Sequence, residues 1–356
     1  MDCIDKATKS GSEIPNALSS EQSVHGPEHA GDVKKEPLHL VFGDVTLGVH
    51  GRRGDGKYPG KEFEYIFSYV TGGPESLVMN GMEWLYRTPR PTFWRALTDN
   101  DRGSRFHLKS GMWLSADMFV NCVDIEVAVD GVKIPFPCAP ENNRYTGSER
   151  AGSLAITYTY ETITRPAAKV TVSYLVNRDG EIEVKVHYHG NQELPQLPVF
   201  GMRFIMPTCA DRFVYEGLSG ETYPDRKAGG EPGIYEVEGL PVAPYLVPQD
   251  CGMHMDTKWV KIYRSSTLDN RTRKADPGAI KFSAKDGEFA FSCLPYTASE
   301  LENATHMEEL PPKRRTVMCV YGAVRGVGGI NSWGADVEPK YHIDAGKDIV
   351  YSFRIS

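Results

Sequence analysis

A chain of 356 residues with 40% hydrophobic content can bury one large core or two ordinary ones. Its formal net charge of −7 excludes the basic face of a nucleic-acid-binding protein, and no apolar run reaches the length of a membrane span or a signal core. Seven scattered cysteines (Cys3, Cys122, Cys138, Cys209, Cys251, Cys293 and Cys319) contain no C-x-x-C pair, which argues against a zinc ribbon or disulfide framework and for reduced thiols in a cytoplasmic protein.

Residues 1–37 are rich in Ser, Glu, Lys and His and poor in large apolar side chains. Burial cannot offset their ordering entropy, so this segment is expected to be a disordered tail without chemistry, followed by a single domain over 38–356. From Leu38 the dominant signal is alternation. Phe63, Tyr65, Phe67 and Tyr69 share one face of a predicted strand, and Val123–Val129 is the next candidate. Leu154, Ile156, Tyr158 and Tyr160 form a looser pattern, with Ala155, Thr157 and Thr159 filling the other face. Val170, Val172 and Tyr174 alternate cleanly, as do Ile182, Val184, Val186 and Tyr188. The N-R-D-G turn at Asn177–Gly180 joins these two runs as a hairpin.

Strands are also expected at Phe200–Met206, Trp259–Tyr263, Ile280–Ala284, Phe289–Ser292, Val317–Tyr321 and Ile349–Ile355. The stretch Gly217–Pro248 is loop-rich, and its aromatics predict that it packs onto the body. Thr297 with Glu300 makes a capping box for a short helix reaching about Glu309, stopped by Pro311 and Pro312. Many strands, many turns and almost no long helices predict a large antiparallel all-β sandwich.

Chemistry concentrates in P-T-F-W-R-A-L-T-D-N-D-R-G, Pro91–Gly103. Phe93 and Trp94 read as a buried anchor inside a charged rim. Asp99 and Asp101 invite a glycosidase reading, but a retaining pair sits about 5–5.5 Å apart, which residues so close in a loop reach only through a special turn. A salt-bridged loop with Arg95 and Arg102 as partners is the simpler assignment. His187 and His189 share a strand face at a spacing that can hold a metal, but no third ligand is evident in sequence, so they read as an open-sheet pair. Trp84 and Trp259 read as core residues. Arg53-Gly54-Asp55, the sequon Asn303-Ala304-Thr305 and the G-V-G-G at Gly326 are set aside, because each lacks the context its motif requires.

The Pro91–Gly103 motif and R-G-V-G-G-I-N-S-W-G (Arg325–Gly334) resemble the small subunit of heterodimeric β-galactosidases, in glycoside hydrolase family two. F-E-Y-I-F-S-Y (Phe63–Tyr69), L-S-G-E-T-Y-P-D-R (Leu218–Arg226) and L-P-Y-T-A-S-E-L-E-N-A-T-H (Leu294–His306) extend the resemblance, in order, over Leu38–Ser356. It implies a β-supersandwich similar to galactose mutarotase and a barrel-bearing large subunit as heterodimeric partner. That partner is expected to carry both catalytic glutamates and any Mg or Na needed for activity, with no catalytic residue or cofactor in this chain. Trp333 is implied to stack on the leaving-group sugar, with Asn331 and Ser332 beside it. Asp99, Asn100, Asp101, Arg102 and Gly103 are implied to form an active-site loop, with a mobile stretch from Ser104 to about Met112 behind a Gly103 hinge. Leu97 replaces a proline frequent in single-chain relatives, and P-Q-D-C-G (Pro248–Gly252) departs from the usual P-Q-E-N-G, which leaves Asp250 and Cys251 without a transferable role.

Two alternatives remain open: a stand-alone mutarotase-like epimerase using His187, His189 or His342 with a carboxylate, and a carbohydrate-binding module.

Overall fold

In the computed structural model, residues 36–53, 61–137, 145–267 and 277–356 are described. Almost all of the expected tail, together with Cys3, Cys138, Gly54 and Asp55, lies outside them. The alternating runs become strands because period two places every second side chain on the buried face.

In chain order the structure begins with β1 (Leu38–Phe42), β2 (Thr46–Arg53), β3 (Lys61–Ser68), β4 (Gly73–Met79), β5 (Met82–Glu83) and β6 (Arg87–Thr92). Short helices α1 (Asp99–Gly103) and α2 (Phe106–Ser110) follow, then 3₁₀ turns at Gly111–Trp113 and Ala116–Phe119. Next come β7 (Asn121–Val129), β8 (Val132–Ile134), β9 (Glu149–Ala151), β10 (Ser153–Glu161), β11 (Lys169–Asn177) and β12 (Ile182–His189). The remainder is β13 (Val199–Met206), β14 (Arg212–Leu218), β15 (Pro232–Glu238), β16 (Met253–Thr257), β17 (Trp259–Arg264), β18 (Gly278–Ala284), β19 (Phe289–Leu294), α3 (Ala298–Asn303), β20 (Thr316–Val324) and β21 (Ile349–Ile355).

These strands form three antiparallel sheets. The six-stranded sheet has the order β5-β4-β3-β2-β1-β9, the ten-stranded sheet β15-β14-β17-β18-β21-β12-β11-β10-β7-β8, and the five-stranded sheet β16-β19-β20-β13-β6. One hydrophobic cluster draws on all three. Phe67 of β3 meets Tyr174 of β11 with ring centroids 5.8 Å apart, and Phe204 of β13 meets Phe353 of β21 at 6.0 Å. The wide sheet thus packs against both smaller ones, giving the expected large all-β sandwich. Among the described residues no helix is long and apolar enough to cross a membrane, and the five described cysteines are free thiols.

The Asn177–Gly180 hairpin forms as expected. Asn177 Oδ1 accepts from the Asp179 and Glu181 amides, and Gly180 takes φ +70°. Only glycine fits that position, since a Cβ there would lie 2.5 Å from the Phe63 ring. The Tyr65 hydroxyl then ties the turn to the six-stranded sheet by donating to Gly180 O at 2.6 Å.

Several expectations need correction. β10 alternates strictly, burying Leu154, Ile156, Tyr158 and Tyr160 on one face. Strand β3 ends at Ser68, leaving Tyr69 in the following turn. The helix begun by the Thr297 capping box stops at Asn303, because Ala304 is extended, and a separate 3₁₀ turn covers Met307–Glu309. Within Gly217–Pro248 a regular strand, β15, pairs with β14. Trp84 is buried, but Trp259 stands on the half-exposed face of β17, its indole N–H donating to Glu216 at 2.7 Å. The sequence pattern does not separate the two tryptophans: Trp84 is packed in the connection after β5, with the Arg264 guanidinium 4.8 Å from its ring, while the register of β17 turns Trp259 outward.

Candidate functional site

Phe93 and Trp94 are buried, and Trp113 stacks on Phe93 at 5.3 Å. Glu302 of α3 accepts from Trp94 Nε1 at 3.3 Å and from the Leu97 amide at 2.7 Å. A proline at position 97 would have no N–H to donate, so leucine there supplies a hydrogen bond that proline would lack. The chain then turns into α1 through a capping box. Thr98 Oγ1 accepts from the Asp101 amide, and the Asp101 carboxylate accepts from the Thr98 amide at 3.0 Å. Gln249 Oε1 takes the free Asp99 amide at 2.9 Å.

Asp101 does much more than cap. Arg95 grips it with both terminal nitrogens, at 2.6 and 3.2 Å, and Arg325 reaches it from the other cluster at 3.3 Å. All three side chains are 1% exposed. Arg325 also bonds Asp336 and lies 4.0 Å above the Phe106 ring, while Arg95 donates to Gly326 O at 3.2 Å. Asp99, by contrast, is exposed and pairs with Arg102 at 3.4 Å. The two arginines singled out in sequence are therefore the partners of the two aspartates. Asp101, with its oxygens committed to Arg95, Arg325 and Thr98, is a structural group.

This buried network joins the two sequence clusters into one surface. Asn100 Nδ2 donates to Val327 O at 3.1 Å, and Gly103 packs against Gly334. Gly334 has φ +77°, and a Cβ there would come within 2.6 Å of Gly103 O, so glycine is required for the approach. From the L-S-G-E-T-Y-P-D-R segment, Asp225 accepts from the Val327 and Gly328 amides at 2.9 and 2.8 Å, and Arg226 donates to Gly328 O. Asn331 Oδ1 caps the next turn, accepting from the Trp333 and Ala335 amides. The outcome is a firmly anchored loop whose tip presents Ile330, Asn331, Ser332 and Trp333 to solvent; Trp333 is 91% exposed. An indole held in this way offers an open aromatic face, the surface that suits the C–H face of a pyranose. The anchoring roles of Asp225 and Arg325 were invisible in sequence, although both residues lie in the motifs quoted above.

Beneath the loop, Asp250 is buried and accepts from the Tyr223 hydroxyl at 2.8 Å. Burial pushes its carboxyl up to about 7, against the pull of Arg95 and Tyr223. Neighbouring Cys251 is pushed up to about 12, again chiefly by burial. Because the native state holds the Asp250 proton more tightly than the unfolded chain, this group stabilises the fold below about pH 4, and the contribution is lost as pH rises through 7. Asp250→Asn, which keeps an acceptor for Tyr223, should be near-neutral at pH 4 and stabilising by about 1–3 kcal/mol at pH 8. Urea melts of both proteins at the two pH values check this; parallel pH profiles would refute it.

His187 Nε2 lies 2.8 Å from Asp348 Oδ2, and His189 bonds Thr171 Oγ1 at 2.8 Å. His342 is half-buried, its Nε2 2.9 Å from Val337 O. His342 Nε2 is also 4.0 Å from Asp336, the carboxylate that Arg325 binds, whereas His187 and His189 lie apart from the Arg95–Asp101–Arg325 network.

The family described as "Beta galactosidase small chain" matches residues 59–355. A β-galactosidase small subunit of Latilactobacillus sakei is 61% identical over 319 residues, covering 90% of this chain and 98% of that one. The β-galactosidase of Halalkalibacterium halodurans is 32% identical over 90% of this chain but only 28% of its own length. For the β-galactosidase BgaC of Bifidobacterium adolescentis the values are 34%, 85% and 26%. The chain thus spans nearly all of the L. sakei subunit and about a quarter of the longer enzymes. Among solved structures, a galactose mutarotase-like protein from Lactobacillus casei covers 83% of this chain at 10% identity and a TM-score of 0.38. A galactose mutarotase related enzyme from Lactobacillus acidophilus covers 90% at 8% identity and 0.35. On the family match and the L. sakei relative, this chain belongs to the β-galactosidase small-chain family.

Proposed function

We propose that this chain is the small subunit of a two-component β-galactosidase that hydrolyses terminal non-reducing β-D-galactose residues in β-D-galactosides such as lactose. One observation carries the reading: the chain is coextensive with a separate small subunit over 98% of that protein, yet matches only 26–28% of single-chain β-galactosidases. The catalytic barrel then belongs to a large partner, together with the Mg or Na that activity requires. There, one glutamate protonates the leaving oxygen while another attacks the anomeric carbon, and water resolves the glycosyl-enzyme with retention.

This chain closes one wall of the pocket. Trp333 offers its face to the aglycone sugar, Asn331 and Ser332 flank it, and Asp99–Gly103 forms the adjoining rim. The partner-facing surface follows directly from that rim. Leu108, Met112, Leu114, Met118 and Phe119 are all exposed, 41–71% of each being accessible. So many exposed large apolar side chains in one short stretch fit a permanent interface better than a free surface.

The test is hydrolysis of a chromogenic β-galactoside by this chain alone, by the large subunit alone and by their mixture. Activity is expected only in the mixture. Turnover by this chain alone would overturn the assignment and return the search for an acid and base to Asp99 and the His187–Asp348 pair.

A further inference from the structure

Strand β12 buries Ile182, Val184, Val186 and Tyr188, so His187 and His189 project from the opposite, outward face of the ten-stranded sheet. Their ring centroids lie 3.9 Å apart, with the planes tilted by 32°. The antiparallel register of β12 with β21 pairs Tyr188 with Ile349, which places Asp348 level with His189 at the head of β21. One ligand atom from each of His187, His189 and Asp348 lies within 4.8 Å of the other two. The third ligand that sequence could not supply comes from a residue 161 positions away from His187.

We propose that His187, His189 and Asp348 form a binding site for a divalent transition-metal ion of the Zn²⁺ class. Two imidazoles and one carboxylate suit Zn²⁺, Ni²⁺ or Cu²⁺, whereas Mg²⁺ and Ca²⁺ favour all-oxygen sets. Metal–ligand bonds of about 2.0–2.2 Å place neighbouring donor atoms about 3–3.5 Å apart. The His187–Asp348 pair is already at 2.8 Å, and rotation of the His189 ring off Thr171 draws in the third donor.

The supporting contacts fit this role. The Gly190 amide donates to Asp348 Oδ1 at 2.8 Å and fixes the carboxylate, as outer hydrogen bonds do around metal ligands. Lys169 on β11, paired with His189 across the ladder, and Lys185, two residues before His187, are cations on the same outward face, which also carries Arg354 of β21. They weaken the site for a dication without occupying it. A bound ion would cross-link β12 to the start of the C-terminal strand and leave its remaining positions to water.

The test is a calorimetric titration of the metal-free full-length chain with Zn²⁺, alongside melting curves with and without the ion. The expected result is a saturable site that His187→Ala or His189→Ala abolishes and that Asp348→Asn weakens at least tenfold. Millimolar Mg²⁺ should not compete. Zn²⁺ should raise the melting temperature of the wild-type chain but not of the double histidine variant, whose metal-free melting should be unchanged because these side chains face outward. Unchanged Zn²⁺ stoichiometry and affinity in the double variant would overturn the assignment, as would the absence of saturable binding to the wild-type chain.

Discussion

Asp101→Ala should destabilise the protein by about 3–5 kcal/mol, the range seen when one member of a buried ion cluster is removed. Arg95 and Arg325 are both 1% exposed, and they would be left as two buried cations on either side of the deletion. Arg325 would retain Asp336, but Arg95 would keep only the carbonyls of Ala96 and Gly326. Loss of the Asp101 half of the capping box adds about 1 kcal/mol, because the Thr98 amide and hydroxyl lose their acceptor while the amide of residue 101 keeps Thr98 Oγ1. The internal control is Asp99→Ala, two residues away. Asp99 is 79% exposed and pairs with Arg102 at the surface, so its removal should change stability by no more than about 0.5 kcal/mol. Denaturant melts of the two variants separate the cases. If they melt alike, the Arg95–Asp101–Arg325 network is not what holds the two clusters together.

Trp333→Ala should show the opposite profile. With 91% of its surface exposed, Trp333 contributes almost nothing to the core, and its loss should shift stability by no more than about 0.5 kcal/mol. The loop backbone is held by Asp225, Arg226, Asn331 and Gly334, none of which needs the indole. If the indole stacks on the aglycone sugar, its removal forfeits an aromatic contact worth on the order of 1–2 kcal/mol, or about a tenfold weakening of acceptor binding. The measurement is transfer of galactose to a sugar acceptor by the reconstituted enzyme, compared with its melting temperature. Loss of acceptor affinity at constant melting temperature supports the stacking role. Parallel loss of both would make Trp333 a packing residue and leave the pocket wall without its aromatic.

Asp250 sits between these two cases: it is buried, and that burial raises its carboxyl to about 7 although Arg95 and Tyr223 pull the other way.

Much of the architecture is written in short-range pattern. Alternation at Ile182–Tyr188, the Asp-Gly turn at Gly180 and the Thr297–Glu300 box each depend on residues within a few positions of one another, so the local backbone obeys them wherever the segment lands. Arg95 and Arg102 as partners of the loop aspartates were legible for the same reason, although only the structure pairs Arg95 with Asp101 and Arg102 with Asp99. Helices α1 and α2 were not, because five residues are too few to display a 3.6-residue period. Contacts that close over long stretches of chain were also hidden. Arg325 meets Asp101 across 224 residues and Asp348 meets His187 across 161, and no spacing rule anticipates either. Trp84 and Trp259 read alike in sequence, yet Trp84, in the connection between β5 and β6, is buried by tertiary packing, while Trp259 is half-exposed because the register of β17 turns it outward. Strand periodicity and turns are local free-energy choices made by neighbouring residues. The joined loop surface, the buried charge network and the His-His-Asp cluster exist only once packing has brought distant segments together.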